Sequence, residues 1–363
     1  MRPTRLKLQS AACQIAYWQG GRLRIANYLT RRTFTTRPVI LELIRFFLAP
    51  QTIKDALDGF RDYSQASVGH AVLKLIASQL LLQPGSAEWA RDRLLESSWK
   101  AWLPEGGFHF MTKDAPYVRA DWPLRRRLMS LPATPPPPRF KSIAGARVIR
   151  LPSQQTTSDS FFQTLHARRT HREFARAALS LQDVSTLLHT TWGVQGYLDA
   201  GTFGLLPYKT SPSGGARHPG EVYLMALRVD GLERGIYHYQ ARNHRLARLP
   251  AAATPRIAAA YCAHQPYFGK AAALFIMTAV FARTMWKYGK ARAYRLVLLE
   301  AGHLCQTFCL TATRLGLAPF STAALKDSLI ENDLGLDGIS ESVLYIAGAG
   351  PTAVMRKPST SVR

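Results

Sequence analysis

Two short clusters hold residues whose types and spacing could do chemistry. Arg168, Arg169, Thr170 and Arg172 fall within five positions. Guanidinium groups grip phosphate oxygens in pairs, and a neighbouring hydroxyl adds a donor. Further along runs Ser211-Pro212-Ser213-Gly214-Gly215-Ala216-Arg217-His218-Pro219. A glycine turn lets backbone N–H groups approach a ligand with no Cβ in the way. Pro212, Ser213, Gly214, Gly215 and Arg217 would line such an approach. Together the clusters point to a planar cofactor that carries a phosphate. The sequence has no Gly-x-x-x-x-Gly-Lys-Ser/Thr run and no Gly-x-Gly-x-x-Gly between a strand and a helix. The common nucleotide fingerprints are therefore excluded.

A third segment reads Trp286-Lys287-Tyr288-Gly289-Lys290-Ala291-Arg292-Ala293-Tyr294-Arg295, then Leu299-Glu300-Ala301-Gly302-His303-Leu304-Cys305-Gln306. Glu300, His303 and Gln306 recur at helical spacing and share a face, as a polar network buried in a dimer interface would. The three ordered segments resemble the SagB-type, or cyanobactin-oxidase-type, dehydrogenases of the nitroreductase-like superfamily. That branch shows Lys-Tyr-Gly-x-Arg-x-Tyr-Arg followed by Glu-Ala-Gly-His and Gln. One extra residue separates glycine from arginine here, and Thr307 stands where relatives carry Asn. The resemblance spans residues 145 to 355 or so.

The resemblance implies FMN, held at the interface of a homodimer. Arg168, Arg169, Thr170 and Arg172 would take its phosphate and ribityl chain, with Arg356 as a further phosphate ligand. Pro212, Ser213, Gly214, Gly215 and Arg217 would pack on the isoalloxazine ring from the other subunit. Thr322, Ala323 and Ala324, past Leu315-Gly316-Leu317, would run along the ring. Relatives place an arginine shortly ahead of the glycine loop; this chain has Tyr208-Lys209-Thr210. Lys287 and Tyr288 match the catalytic pair of the azoline oxidases. The implied reaction dehydrogenates a thiazoline or oxazoline in a ribosomally made precursor peptide to the azole. A positioned base must take the ring proton. A lysine in that role must be unprotonated, which burial and neighbouring cations favour. A cyclodehydratase is a candidate partner. Two other readings stand beside this one. The first is NAD(P)H-dependent reduction of a nitro compound or quinone on the same fold. The second is a nucleic-acid-binding regulator with a flavin sensor.

The elements that position these residues fall into two parts. The chain has 363 residues, 47% of them hydrophobic, enough for a substantial core. Pro135 to Pro138 cannot continue a helix or a central strand. They mark a linker at 131–144, between an N-terminal module (1–130) and a flavin domain (145–363). Before the linker, Pro38–Leu48, Thr52–Leu57 and Ser67–Leu82 read as helix, short helix and longer helix, with Thr52 as a cap. That order resembles a winged-helix or peptide-clamp module. After it, helices are predicted at Leu181–Trp192, Pro255–His264 and Arg292–Leu315, the last capped by Gly316. Strands are predicted at Val222–Val229, Gly235–Tyr239, Arg245–Leu249, Ala272–Phe281 and Ser342–Ala349. The class is α+β.

Charge and cysteines narrow the partners. The net charge is +24, with 24 basic and 10 acidic side chains in residues 1–150. An acidic peptide is the expected partner, ahead of nucleic acid or an anionic membrane. Four cysteines without a Cys-x-x-Cys do not make a disulfide framework, and Cys305 and Cys309 read as helical core. His109, His218, His238 and His244 lack metal-ligand spacing, so no metal is expected. No secretory h-region follows the basic N-terminus, and no apolar run approaches the ~18 residues of a membrane span. A cytoplasmic protein is expected.

Overall fold

The computed structural model describes residues 6–115, 159–201 and 204–353. The linker expected at 131–144 and Arg356 lie outside those residues. The first part opens with β1 (Lys7–Ser10), β2 (Gln14–Gln19), β3 (Arg22–Asn27) and β4 (Arg32–Thr36). Gly20 and Gly21, at φ +57° and +71°, turn β2 back onto β3 as a hairpin. This region of the glycine plot suits a tight two-residue turn. Then follow α1 (Val39–Phe46), β5 (Gln51–Thr52), α2 (Ile53–Gly59) and α3 (Gln65–Ala77). Thr52 caps α2 as expected, its hydroxyl accepting from the Asp55 N–H while Asp55 accepts from the Thr52 N–H. Leu43, Ile44, Val72 and Leu75 close a core over Leu8, Leu23 and Ile25.

The sequence reading ran α3 on to Leu82. The helix stops earlier because Gln79 takes the left-handed conformation, φ +54°. Leu81 and Leu82 become β6 and pair with β1, which sits between β5 and β6. The β2–β4 meander was not anticipated. Nor were α4 (Ala87–Trp99) and α5 (Leu103–Met111). They close a second core in which Trp99, Trp102 and Phe110 pack with Phe281, Tyr294 and Ile339.

The second part contains α6 (Ser160–Ala167), β7 (Leu179–Ser180) and α7 (Leu181–Trp192). Next come β8 (Gly196–Asp199), β9 (Leu205–Tyr208), β10 (Gly220–Ala226), β11 (Val229–Asp230), β12 (Gly235–Gln240) and β13 (Arg245–Arg248). It continues through α8 (Pro255–Tyr261), β14 (Ala273–Val280), α9 (Phe281–Lys287) and α10 (Tyr294–Arg314). It ends with β15 (Leu317–Thr322), α11 (Asp327–Leu334) and β16 (Glu341–Pro351).

One antiparallel sheet, in the order β13-β12-β10-β14-β16-β15, organises this part. The continuous apolar run of β14 is explained by burial of both faces. Phe275 and Met277 face α7 and α10, and Leu274 and Ile276 face α8 and α11. Trp192 stacks on Phe275 with 6.1 Å between ring centres. Helices therefore cover both sides of the sheet, and the class is α+β. Gly316 ends α10 at φ +72°. The stretch Ala291–Arg314 is long and apolar enough, by length and composition, to cross a membrane. The sequence reading missed this because Glu300 and His303 interrupt the run. Val297, Leu304, Phe308 and Ala312 of this stretch are buried in the protein's own core.

Candidate functional site

The arginine cluster starts where α6 ends. Asp159 caps α6 and Arg168 is its last cap residue. From there the chain runs along the edge strand β15, with the His171 N–H donating to the Pro319 carbonyl at 3.0 Å. Phe174 then bridges to Thr352. This tether turns Arg169, Thr170 and Arg172 to the exterior and leaves Arg168 half-buried. Arg169 folds back on the carbonyls of His166 and Arg168, at 2.7 and 2.8 Å. The Arg172 guanidinium lies 5.7 Å from the centre of the Tyr267 ring. Among the described residues none of these arginines forms an ion pair with a carboxylate. Burial and the nearby Arg168 charge pull the His171 imidazole downward. The donor set, unneutralised cations around an exposed hydroxyl, fits a phosphate monoester.

A polar relay joins this cluster to the end of β15. Arg172 lies over Tyr267, the Tyr267 hydroxyl donates to Gln265 Oε1 at 2.7 Å, and Gln265 Nε2 reaches Thr322 Oγ1 at 3.4 Å. Thr322 Oγ1 also accepts from the Ala324 N–H at 3.0 Å. The structure thus brings Thr322, Ala323 and Ala324 to the same edge of the sheet as Arg172.

The glycine loop lies elsewhere, against α10. Ser211 is buried, and its hydroxyl meets that of Thr307 at 2.7 Å. The Pro212 carbonyl faces His303 Nδ1 at 3.3 Å, and Ser213 Oγ accepts from the His218 N–H at 2.9 Å. Gly214–Ala216 make a short 3₁₀ turn with Gly215 at φ +62°. Lys287 and Tyr288, at the end of α9, converge on it. A Cβ on Gly215 would sit 2.7 Å from Lys287 Cδ, 2.8 Å from its Nζ and 2.8 Å from Tyr288 Oη. Glycine is required there both by backbone conformation and by space. The Arg217 guanidinium lies 4.9 Å over the Trp286 ring. A cleft of about 540 Å³ opens beside the pair, lined by Lys287, Tyr288, Lys290, Arg292, Arg295 and Leu296. Lys287 is exposed and Tyr288 half-buried. The burial expected for the lysine is absent in the single chain, because α9 ends at the surface.

Behind the loop is a charged network that the sequence reading missed. Glu221 accepts from Arg283 at 2.6 Å and faces His238 at 2.9 Å. These contacts hold its carboxyl below the usual range against the pull of burial. Glu300 interacts with Ser213 and the Gly220 backbone, yet burial pushes its carboxyl upward. Lys209, in place of the arginine that relatives carry, is pulled down by burial between those two carboxylates. His218 Nε2–H donates to the Pro207 carbonyl at 3.0 Å, and burial with the Lys209 charge lowers its imidazole to about 4. No local spacing could reveal this network, since its members come from β10, β12, α9, α10 and the chain from Lys209 through the glycine loop.

Among the described residues, no hydrogen bond, ion pair or ring contact joins the 168–172 cluster to the 212–217 loop. The Glu300, His303 face of α10 serves the loop, in keeping with a polar network. The four cysteines are free and buried.

The nitroreductase family pattern matches residues 165–350. Three relatives bear on this site. The trifolitoxin-processing protein TfxB of Rhizobium leguminosarum bv. trifolii is 36% identical over 143 residues, 38% of each chain. A protein named as a nitroreductase in Methanocaldococcus jannaschii is 33% identical over 167 residues, 46% of this chain and 80% of that one. The microcin B17-processing protein McbC of Escherichia coli is 28% identical over 131 residues, 35% of this chain and 48% of that one. The chain thus spans less than half the length of the two peptide-processing relatives. The matched span contains the glycine loop, the Lys-Tyr pair and all but the first residues of the sheet-and-helix core, and this chain belongs to the nitroreductase family.

Proposed function

We propose that this chain is an FMN-dependent dehydrogenase that oxidises azoline rings to azoles in a ribosomally made peptide, acting as a homodimer. The observation that carries the reading is the convergence of Lys287 and Tyr288 on Gly215 at the mouth of a cationic cleft. Aromatising the ring removes a proton and a hydride. A base must reach the proton within hydrogen-bond distance. Lys287 Nζ takes that proton, and Tyr288 Oη, packed against the same glycine, orients it. Arg168, Thr170 and Arg172 hold the FMN phosphate, and Thr322 to Ala324 line the ring. Bound there, FMN supplies the acceptor for the two electrons.

Two further observations support the reading. The relatives TfxB and McbC are both named as peptide-processing proteins. Large apolar side chains stand exposed on α6, β9 and α10, among them Phe161 at 60%, Leu205 at 69% and Leu299 at 52%. A second copy would cover them and bring its glycine loop to this chain's arginines. We assign peptide capture to the first part of the chain. There an apolar cleft of about 340 Å³ lies between α1 and α3, lined by Ile40, Leu43, Phe60, Val68 and Ala71. A cyclodehydratase would supply the azoline.

The test uses the purified dimer and an azoline-bearing peptide, with loss of two hydrogens read by mass. Lys287→Ala and Tyr288→Phe should each keep FMN and lose turnover by about 10²–10⁴-fold. Arg168→Ala with Arg172→Ala should lose the flavin instead. Wild-type turnover in Lys287→Ala would move the base elsewhere. NADPH consumption with a nitro compound, and none with the azoline peptide, would favour the reductase reading.

A further inference from the structure

We propose that Trp102 is a positioning residue for Lys287 and Tyr288, so that the N-terminal part of the chain forms the back wall of the active site. The inference rests on the catalytic role proposed above for that pair. Trp102 lies in the turn between α4 and α5 and is 1% exposed. Its indole N–H donates to the Tyr288 carbonyl at 3.1 Å. Its ring meets Tyr294 edge-on, with 6.0 Å between centres. Seven residues further on, in α5, His109 Nδ1 meets the Tyr294 hydroxyl at 2.7 Å. The N-terminal part thus grips both ends of the segment from Tyr288 to Tyr294.

Between those two grips much of the segment lies at the surface. Lys287, Gly289, Lys290 and Arg292 are exposed, and a Cβ on Gly289 would meet nothing within 4 Å. Its local backbone bonds include Tyr288 N–H to Thr284, Ala293 N–H to Lys290 and Tyr294 N–H to Ala291. A carbonyl partly withdrawn from water needs a donor. Trp102 provides it, and so fixes the plane from which the Tyr288 side chain departs toward Gly215. Misplacing a catalytic group by about 1 Å can cost about 10²-fold in rate. Filling a core would not by itself call for an N–H aimed at this carbonyl.

Trp99 offers a matched control. It is equally buried, packs on Trp102 at 6.4 Å, and donates its indole N–H to the Ile339 carbonyl at 2.9 Å, away from the Lys-Tyr pair. Trp102→Phe and Trp99→Phe each remove one indole donor from the same cluster. In the full-length flavoprotein, Trp102→Phe should keep FMN and KM, lower kcat by about 10–100-fold, and speed amide exchange at 287–290. Trp99→Phe should leave kcat and that exchange unchanged. Equal kcat in the two variants, or losses that follow their thermal midpoints alike, overturns the inference. If Trp102→Phe does not fold, replacing Trp102 by 3-benzothienylalanine keeps the shape without the N–H. Full kcat in that protein overturns the inference as well. Lys287→Ala run alongside separates the two ideas. Its full activity defeats the catalytic assignment, and with it the positioning role. Its loss of activity beside an unimpaired Trp102→Phe defeats the positioning role alone.

Discussion

The two halves of the region before residue 116 are held in opposite ways. The body of α1–α3 closes over its own core, whose buried members run from Leu8 to Leu81. The α4–α5 hairpin does not. Its Trp99, Trp102 and Phe110 share a core with Phe281, Ala293, Tyr294 and Val297. Beside that core, Lys113 Nζ reaches both Glu331 oxygens at 2.7 and 2.9 Å, and also the Gly338 carbonyl. Asp114 is tied to Arg31 at 2.6 Å and to the Ser328 N–H at 3.1 Å. The first half keeps most of its core to itself, with Ala11, Cys13, Tyr28 and Leu82 reaching into the second. The second half shares the core of the sheet-bearing part. Removing the whole region would strip apolar cover from Phe281 and Tyr294, so such a truncation cannot isolate peptide capture.

The strongest way to break this comparison is the buried ion pair. Lys113 and Glu331 are 9% and 6% exposed. Burial pulls the Lys113 ammonium down, against the opposing pull of Glu331. Removing one partner of a buried pair leaves an uncompensated charge and costs about 3–5 kcal/mol. Lys113→Met should therefore lower stability by that amount, read from urea unfolding of the full chain. Lys113→Met with Glu331→Leu should recover most of it, because two apolar groups replace two charges. A double variant as unstable as the single would show that the pair does not tie the end of α5 to α11.

What the sequence made legible was local. Leu181–Trp192 was read to the residue, because its apolar face repeats at helical spacing and Ser180 caps it. The Thr52 cap and the two-sided burial of β14 were equally readable. Gly20-Gly21 was also a readable hairpin signal, and it was overlooked. The α+β class and the family resemblance followed from ordered motifs. Contacts distant in sequence were not readable. Trp102 and Tyr288 are 186 positions apart, and Lys113 and Glu331 are 218. Nothing in the Trp-Lys-Ala-Trp run of 99–102 says that one indole faces Ile339 and the other Tyr288. The exposure of Lys287 was missed for a similar reason, since it depends on where α9 meets the surface.

Acid gives a second, gentler lever, aimed at the glycine loop. His218 is held neutral by burial, with Lys209, Arg217 and Arg283 facing it, and its imidazole falls from 6.5 to about 4. Above 6.5 both folded and unfolded chains carry it neutral, and it contributes nothing to pH dependence. As pH falls from 6.5 towards 4, the unfolded chain takes the proton first and stability is lost. Glu300, whose carboxyl is raised by burial, works in the opposite sense. His218→Gln should flatten the acid loss, measured as urea midpoints at about pH 7.5 and about pH 5. Amide exchange should rise first in the 211–219 loop and last in α3. An unchanged acid slope in His218→Gln would assign the sensitivity to another group.

The smallest effect belongs to the self-contained half. Ser64 caps α3, its hydroxyl accepting from the Ser67 N–H at 3.2 Å. Losing a serine cap costs about 1 kcal/mol. The α3 helix carries Val68, Val72 and Leu75 into the core it shares with α1 and β1. Ser64→Ala should therefore loosen that body alone, seen as faster amide exchange in α3. Its first turn also borders the apolar cleft, where Ser67 and Val68 are lining residues. KM for a long peptide should rise modestly, while kcat, FMN content and exchange at 287–290 stay at wild-type values. A fall in kcat matching that of Trp102→Phe would mean that the two halves move as one body. The partial autonomy read from the self-contained core of α1–α3 would then be wrong.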